Sequence, residues 1–308
     1  MRGRYKESSA GVQFIILFML GLGGALIFSA LGAVFASLIY EIGLVEIFND
    51  PMGVSRGSID ILKFLQIFSS IGTFLVPALI AGYLFASKPG QYLGFNSFSK
   101  PFLVVLLLVV VAICGSAVSD ILFRFSRSVP WPESLHFIKQ VLDSAEAMMA
   151  EQIQRFLVME DFSQFSGVFF IMAVLPALGE ELLFRGVLQP VIKKGFGNPH
   201  LAIWLSAFLF SIFHQQVYAF LSILILGVVL GYIREWSGSL WPSVILHLIN
   251  NGTIIVAVYF LDIPYDNKES LEAGLDWGVS LPMIIGFAIG LGGLYFTFST
   301  RQKRESPL

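Results

Sequence analysis

Two glutamates stand side by side in an otherwise apolar run, LPALGEELLFRG from Leu175 to Gly186. An ionised carboxylate at membrane depth costs roughly 2.5 to 3.5 kcal/mol on insertion scales, so a pair of them needs partners or a purpose. Placed on a helix, Glu181 and Arg185 are i and i+4 and share a face, which predicts an ion pair. Glu180 lies about 100° further round the helix and points elsewhere, so the two neighbours acquire different surroundings. Pro176, four residues before Glu180, cannot donate to the helix ladder; it frees a carbonyl near Met172 and predicts a kink. Pro190 is expected to end the helix.

Two histidines occur in other apolar runs. His214 closes FSIFH from Phe210, and His247 stands one helical turn before Asn251. His136 and His200 fall in flanking segments and read as ordinary. Two histidines, an amide and a glutamate pair in one apolar half of a chain suit attack by water on a carbonyl. A desolvated carboxylate, helped by His, can take the proton from water, while a second His and an Asn stabilise the oxyanion that forms. The same side chains could instead hold a divalent metal such as zinc through Glu and His, with water in an open position. The His-Glu-x-x-His spacing of zinc proteases is missing.

The elements that must position these groups are membrane helices. The 308 residues are 56% hydrophobic and 13% charged, with a mean hydropathy of +0.79, too apolar for an ordinary soluble domain. Runs free of charged side chains extend over 8–40, 64–87, 101–119, 162–179, 195–233, 236–261 and 277–300. They are continuous rather than alternating, so the spans are helices and not barrel strands. The run 195–233 is long enough for two, which gives an all-α polytopic bundle of about eight membrane helices whose fifth and sixth members share that stretch.

With eight spans both chain ends lie on one side. That side carries eleven Lys and Arg residues against Glu7, Glu235 and Glu305; the other carries seven basic residues among sixteen acidic ones. Both termini are therefore expected to be cytoplasmic. The first apolar run is too long for a cleaved signal and is expected to stay as a helix. A lone Cys114 excludes a disulfide within the chain or a cysteine metal cluster, and a net charge of -2 gives no nucleic-acid signal. Residues 1–122 read as a three-helix membrane region. Residues 123–161 read as an amphipathic interfacial connector, with Phe137, Ile138, Val141, Leu142, Met148 and Met149 at helical spacing. Residues 262–308 read as an acidic exterior loop from Asp262 to Asp276, a last membrane helix and a basic tail. The glycines in GLGG from Gly21 to Gly24 and from Gly290 to Gly293 predict close helix approach. Asn251-Gly-Thr253 matches a glycosylation sequon, but at membrane depth no glycan could be attached.

The set Glu180-Glu181-x-x-x-Arg185, Phe210-x-x-x-His214 and His247-x-x-x-Asn251, in this order on successive membrane helices, resembles the three motifs of the CPBP family of CAAX proteases and bacteriocin-processing enzymes, also called Abi. The resemblance covers about 168–260 and makes 162–261 the catalytic membrane core. It implies an intramembrane endopeptidase similar to the type II CAAX prenyl endopeptidase. Glu180 would be the general base that activates water with His214, His247 and Asn251 would form the oxyanion site, and Glu181 and Arg185 would support the geometry. Family members are often labelled metalloproteases, yet a glutamate mechanism needs no metal ligand set. The implied partners are the lipid bilayer and a peptide or membrane-protein substrate, lipidated or not. A bacterial plasma membrane is the expected location, with the endoplasmic reticulum as the alternative. Two other readings compete: a non-catalytic scaffold or bacteriocin-immunity protein of the same fold, which would not need all of these residues together, and a proton-coupled transporter, against which the lack of paired half-repeats counts.

Overall fold

A computed structural model of the chain describes residues 1–49, 59–263, 265 and 275–305. Every regular element among them is helical, as backbone in lipid requires. The principal ones are α1 (Ala10–Tyr40), α2 (Ile59–Phe85), α3 (Pro101–Ser128), α4 (His136–Phe156), α5 (Phe162–Phe196), α6 (Pro199–Phe213), α7 (Phe220–Ser237), α8 (Trp241–Leu261) and α9 (Trp277–Glu305). All except α4 and α6 are long and apolar enough to cross a membrane. α6 is apolar but has 15 residues, about 22 Å of helix against a hydrocarbon core of about 30 Å. The stretch shared by the fifth and sixth spans is thus divided into a short helix and a full one. The bundle is apolar on its outside: α1 exposes Phe18, Leu26 and Leu38 while it buries Gln13, whose amide donates to the Tyr5 carbonyl at 2.7 Å. Contiguous apolar exposure on this scale is what a lipid-facing surface presents. The chain is a multi-pass membrane protein.

Local sequence sets the helix ends. Asn198 caps α6, its Oδ1 accepting from the backbone of His200 at 2.9 Å and Leu201 at 3.2 Å, with Pro199 at the first helical position. Asp161 caps α5 through the Gln164 backbone at 2.8 Å. Pro190 does not end α5, contrary to the sequence expectation. The helix runs on to Phe196 because residues 182–188 form wider π-helical turns just before it, and such turns absorb an irregularity in the ladder without breaking the helix.

α5 is the central helix, more than half buried, whereas α1 has few buried residues. α5 packs against α2, α6 and α8, with α1 outside α2 and α9 against α3. The glycine patches lie at the predicted close approaches: a Cβ on Gly24 would meet the Gly72 carbonyl oxygen of α2 at 2.1 Å, and one on Gly290 would meet Val111 of α3 at 2.8 Å.

One end of the bundle gathers basic flanks. The backbone of Gly3 and Tyr5 donates to Tyr83 and Leu84 at the end of α2, each at 2.9 Å, and Lys194 Nζ donates to the carbonyls of Lys6 and Ser8. At the opposite end α4 exposes Phe137, Val141 and Met148. It is tied to the turn 214–219 by Tyr218 Oη, which donates to Asp143 Oδ1 at 2.6 Å, and Arg127 lies 4.7 Å over the Tyr218 ring. Most of the acidic segment Asp262 to Asp276 lies outside the described residues.

Candidate active site

The glutamate pair sits in the middle of α5, in a short α-helical stretch, Leu175–Glu181, between two π-helical ones, Phe170–Val174 and Leu182–Leu188. Pro176 accounts for the first: it lacks the N–H that the Met172 carbonyl would take four residues on. Asn251 on α8 turns its side-chain amide to that carbonyl, Nδ2 to O 3.4 Å.

Glu181 and Arg185 are fully buried, at 0% and 1% exposure, a position charged groups occupy only when paired. Arg185 Nη1 donates to Glu181 Oε1 at 2.6 Å, and Nη2 to the Gly227 carbonyl of α7 at 2.9 Å. The guanidinium also lies 4.5 Å over the Phe210 ring, a cation–π contact in a dry setting. The same Glu181 oxygen stands 3.0 Å from His247 Nδ1. A carboxylate paired with Arg only accepts, so Nδ1 carries the proton and donates, and Nε2 is turned to the other side.

Glu180 is on that other side. Its Oε2 lies 3.8 Å from His247 Nε2 and 3.9 Å from His214 Nε2, beyond direct hydrogen-bond reach, and it has no partner in the protein. His214 is fixed by Nδ1, 2.8 Å from the Phe210 carbonyl; a carbonyl only accepts, so Nδ1 donates and a neutral His214 presents a lone pair at Nε2. The Glu180 carboxylate and His214 Nε2 are then two acceptors facing each other, a pair that a water molecule can bridge by donating to both. Phe210 stacks edge-on against both imidazoles, with ring centroids 4.6 Å from His214 and 5.9 Å from His247.

Glu180, His214 and His247 are thus brought to one place, with Asn251 a helical turn beyond His247 on α8. A cavity of about 400 Å³ lies between α3, α7, α8 and α9, and none of Glu180, His214, His247 and Asn251 lines it. It is lined by Leu246 and Asn250, next to the α8 site residues, by Gln216 and Ala219 of the turn after His214, and by Val111 and Phe287. Two partners were not foreseen from the sequence: the Gly227 carbonyl and the α4 contact of Tyr218. A backbone carbonyl 42 residues from the arginine it accepts from leaves no trace in side-chain spacing, whereas the Phe210 ring was visible as the first residue of its motif. A catalytic zinc takes three protein ligands. Among the described residues no group of three His, Cys, Asp or Glu side chains is arranged to hold a metal; Glu181 is committed to Arg185 and the two imidazole Nδ1 atoms to protein oxygens, while both Nε2 atoms stay open towards Glu180.

Comparison with known proteins falls on the same stretch. Residues 162–253 match the family model described as type II CAAX prenyl endopeptidase Rce1-like. Over 102 residues, 32% of the chain, there is 26% identity to a Bacillus subtilis (strain 168) protein named uncharacterized protein YpbD; the matched part is 49% of that protein, so the chain spans about half the length of this curated relative. No solved structure matches. The segment that brings Glu180, His214 and His247 together is thus the part of the chain that is similar to the Rce1-like type II CAAX prenyl endopeptidases.

Proposed function

We propose that this protein is an intramembrane endopeptidase that hydrolyses peptide bonds of membrane-associated substrates by glutamate-activated water. The observation that carries the reading is the unpartnered Glu180 Oε2 facing two imidazole Nε2 atoms at 3.8 and 3.9 Å. A water that donates to Glu180 and to His214 Nε2 has its lone pairs free for the substrate carbonyl. Glu180 takes a proton as the water oxygen bonds to the carbonyl carbon, and the carbonyl oxygen becomes an oxyanion. The Asn251 amide has a second N–H beyond the one turned to Met172, and His247 offers an Nε2–H when it carries two protons, since its Nδ1–H is given to Glu181. The C–N bond then breaks, the leaving amine takes the proton back from Glu180, and both peptide ends depart.

Glu180→Gln tests the reading. The amide is nearly isosteric but cannot take a proton from water, so peptide hydrolysis should fall by ~10² to 10⁴ while the fold survives. Chelators should leave the intact protein's activity unchanged. Full activity in Glu180→Gln would refute the general-base role, and abolition by chelator with restoration by Zn²⁺ would refute the metal-free route. The location that goes with this reading is a bacterial plasma membrane with both termini cytoplasmic, supported by the basic flanks gathered at one end of the bundle.

A further inference from the structure

A second polar site lies at the basic end of the bundle, separated from the Glu180 site by the buried Glu181–Arg185 pair. Arg234 is one turn from the end of α7, and its Nε is buried with no partner in the protein. The carboxylate next to it in sequence is hydrogen-bonded elsewhere: Glu235 Oε1 is taken by Lys193 Nζ at 2.5 Å, so it acts on Arg234 only through space. The guanidinium is instead wedged against the loop after α2. Gly94 there has φ +87°, and a Cβ on it would fall 2.7 Å from Arg234 Nη2, so the arginine is held in place by backbone rather than by an acid. It faces a cavity of about 320 Å³ lined also by Tyr92, Gln189, Lys193 and Gly238. Gln189 is 3% exposed and its Oε1 has no partner. Burial pushes the Tyr92 hydroxyl well above the ordinary phenol range, so it stays an O–H donor.

The charges lining this cavity do not cancel. Arg185 is matched by Glu181 and Lys193 by Glu235, which leaves the guanidinium of Arg234 over. A half-buried guanidinium without an acceptor is costly, and the group that relieves it is an anion able to take parallel N–H bonds. Its level in the bundle, at the end where Lys6, Lys193 and Lys194 collect, is that of lipid headgroups.

We propose that Arg234 and Tyr92 bind a phosphate group carrying one negative charge, supplied by the headgroup of an anionic phospholipid seated between the loop after α2 and the ends of α5 and α7. The same phosphate chemistry could reach the cavity as a soluble phosphate, and the experiment separates the two sources.

The full-length protein and its Arg234→Gln variant would be purified in a neutral detergent. Binding would be followed by native mass spectrometry and by thermal unfolding, with phosphatidylglycerol, phosphatidylcholine or inorganic phosphate added at equal ionic strength. The expected result is retention of one phosphatidylglycerol by the intact protein, an upward shift of its unfolding temperature with that lipid, and roughly ten- to a hundredfold weaker binding in Arg234→Gln, the range for loss of a charge-assisted bond. A response to inorganic phosphate and not to the lipid would keep the anion site and assign it to a soluble ligand. Equal responses of both proteins, or no response to any of the three, would overturn the proposal. If Arg234→Gln does not fold, Tyr92→Phe and Arg234→Lys take its place: phosphatidylglycerol binding should weaken in both, and unchanged binding in both would overturn it equally.

Discussion

Removing the carboxylate of Glu181 tests how the site is held. In Glu181→Ala the guanidinium of Arg185 stays where it is, because Gly227 still accepts from it at 2.9 Å and Phe210 still lies beneath it at 4.5 Å, but its counter-charge is gone. At 2.6 Å separation the Coulomb attraction is roughly 6 kcal/mol with an effective dielectric constant of about 20. The remaining carbonyl and ring contacts, and a shift of Glu180 towards the arginine, return part of it. The net loss should fall in the range of about 3 to 5 kcal/mol seen when one partner of a buried pair is removed. The same i, i+4 spacing supplies a control on the surface: Glu151 and Arg155 of α4 lie 3.7 Å apart at 66% and 37% exposure, and Glu151→Ala should cost under about 0.5 kcal/mol. Replacing both buried partners, as Glu181→Met with Arg185→Leu, should restore most of the stability and none of the activity, since His247 then has nothing to fix its tautomer. Unfolding in detergent by heat or denaturant would compare the intact protein with these three variants. A loss in Glu181→Ala no larger than in Glu151→Ala would mean that the pair is hydrated, and the reasoning about a dry site would be wrong.

Three further outcomes follow from the geometry. Asn251→Ala removes an oxyanion donor and should lower kcat by about 10² to 10³ with little change in stability; an unaltered kcat would exclude the amide from the chemistry. Hydrogen bonds from Lys139 and then Tyr218 hold the Asp143 carboxyl below the usual carboxylate range, so the tie between α4 and the turn 214–219 is intact above the ordinary Asp value and lost as pH falls through the depressed one. Tyr218→Phe deletes the tie, so it should lower hydrogen-exchange protection of 136–156, corrected for the intrinsic rate, above the ordinary Asp value and flatten its pH dependence; a profile like that of the intact protein would show that the phenol does not hold α4. Reporter fusions after Leu308 and within Asp262 to Asp276 should report opposite sides of the membrane, and agreement between them would break the eight-span topology.

What the sequence could and could not reveal follows from the range of each interaction. The Glu181–Arg185 pair was legible because both partners lie on one helix, where 3.6 residues per turn fixes their separation. The glycine contacts of α1 and α9 were legible for a related reason: a missing side chain on a lipid-depth helix has few uses other than close packing. Pro190 misled because the missing N–H predicts a break only where the ladder before it is regular, and the π turns of 182–188 made it irregular in advance. The Met172 carbonyl shows the opposite case. Its loss of an intrahelical donor could be read from Pro176, but the identity of the group that turns to it could not, since Asn251 lies 79 residues away and only the packing of α8 on α5 brings it there. The setting of His247 depends on the same kind of contact. His214 and His247 look alike as single histidines in apolar runs, yet one gives its Nδ1–H to a backbone carbonyl four residues back and the other to a buried carboxylate on another helix. That difference sets the two rings apart: His214 is held by the end of its own helix, whereas His247 is held by a carboxylate of α5 that no spacing along the chain encodes.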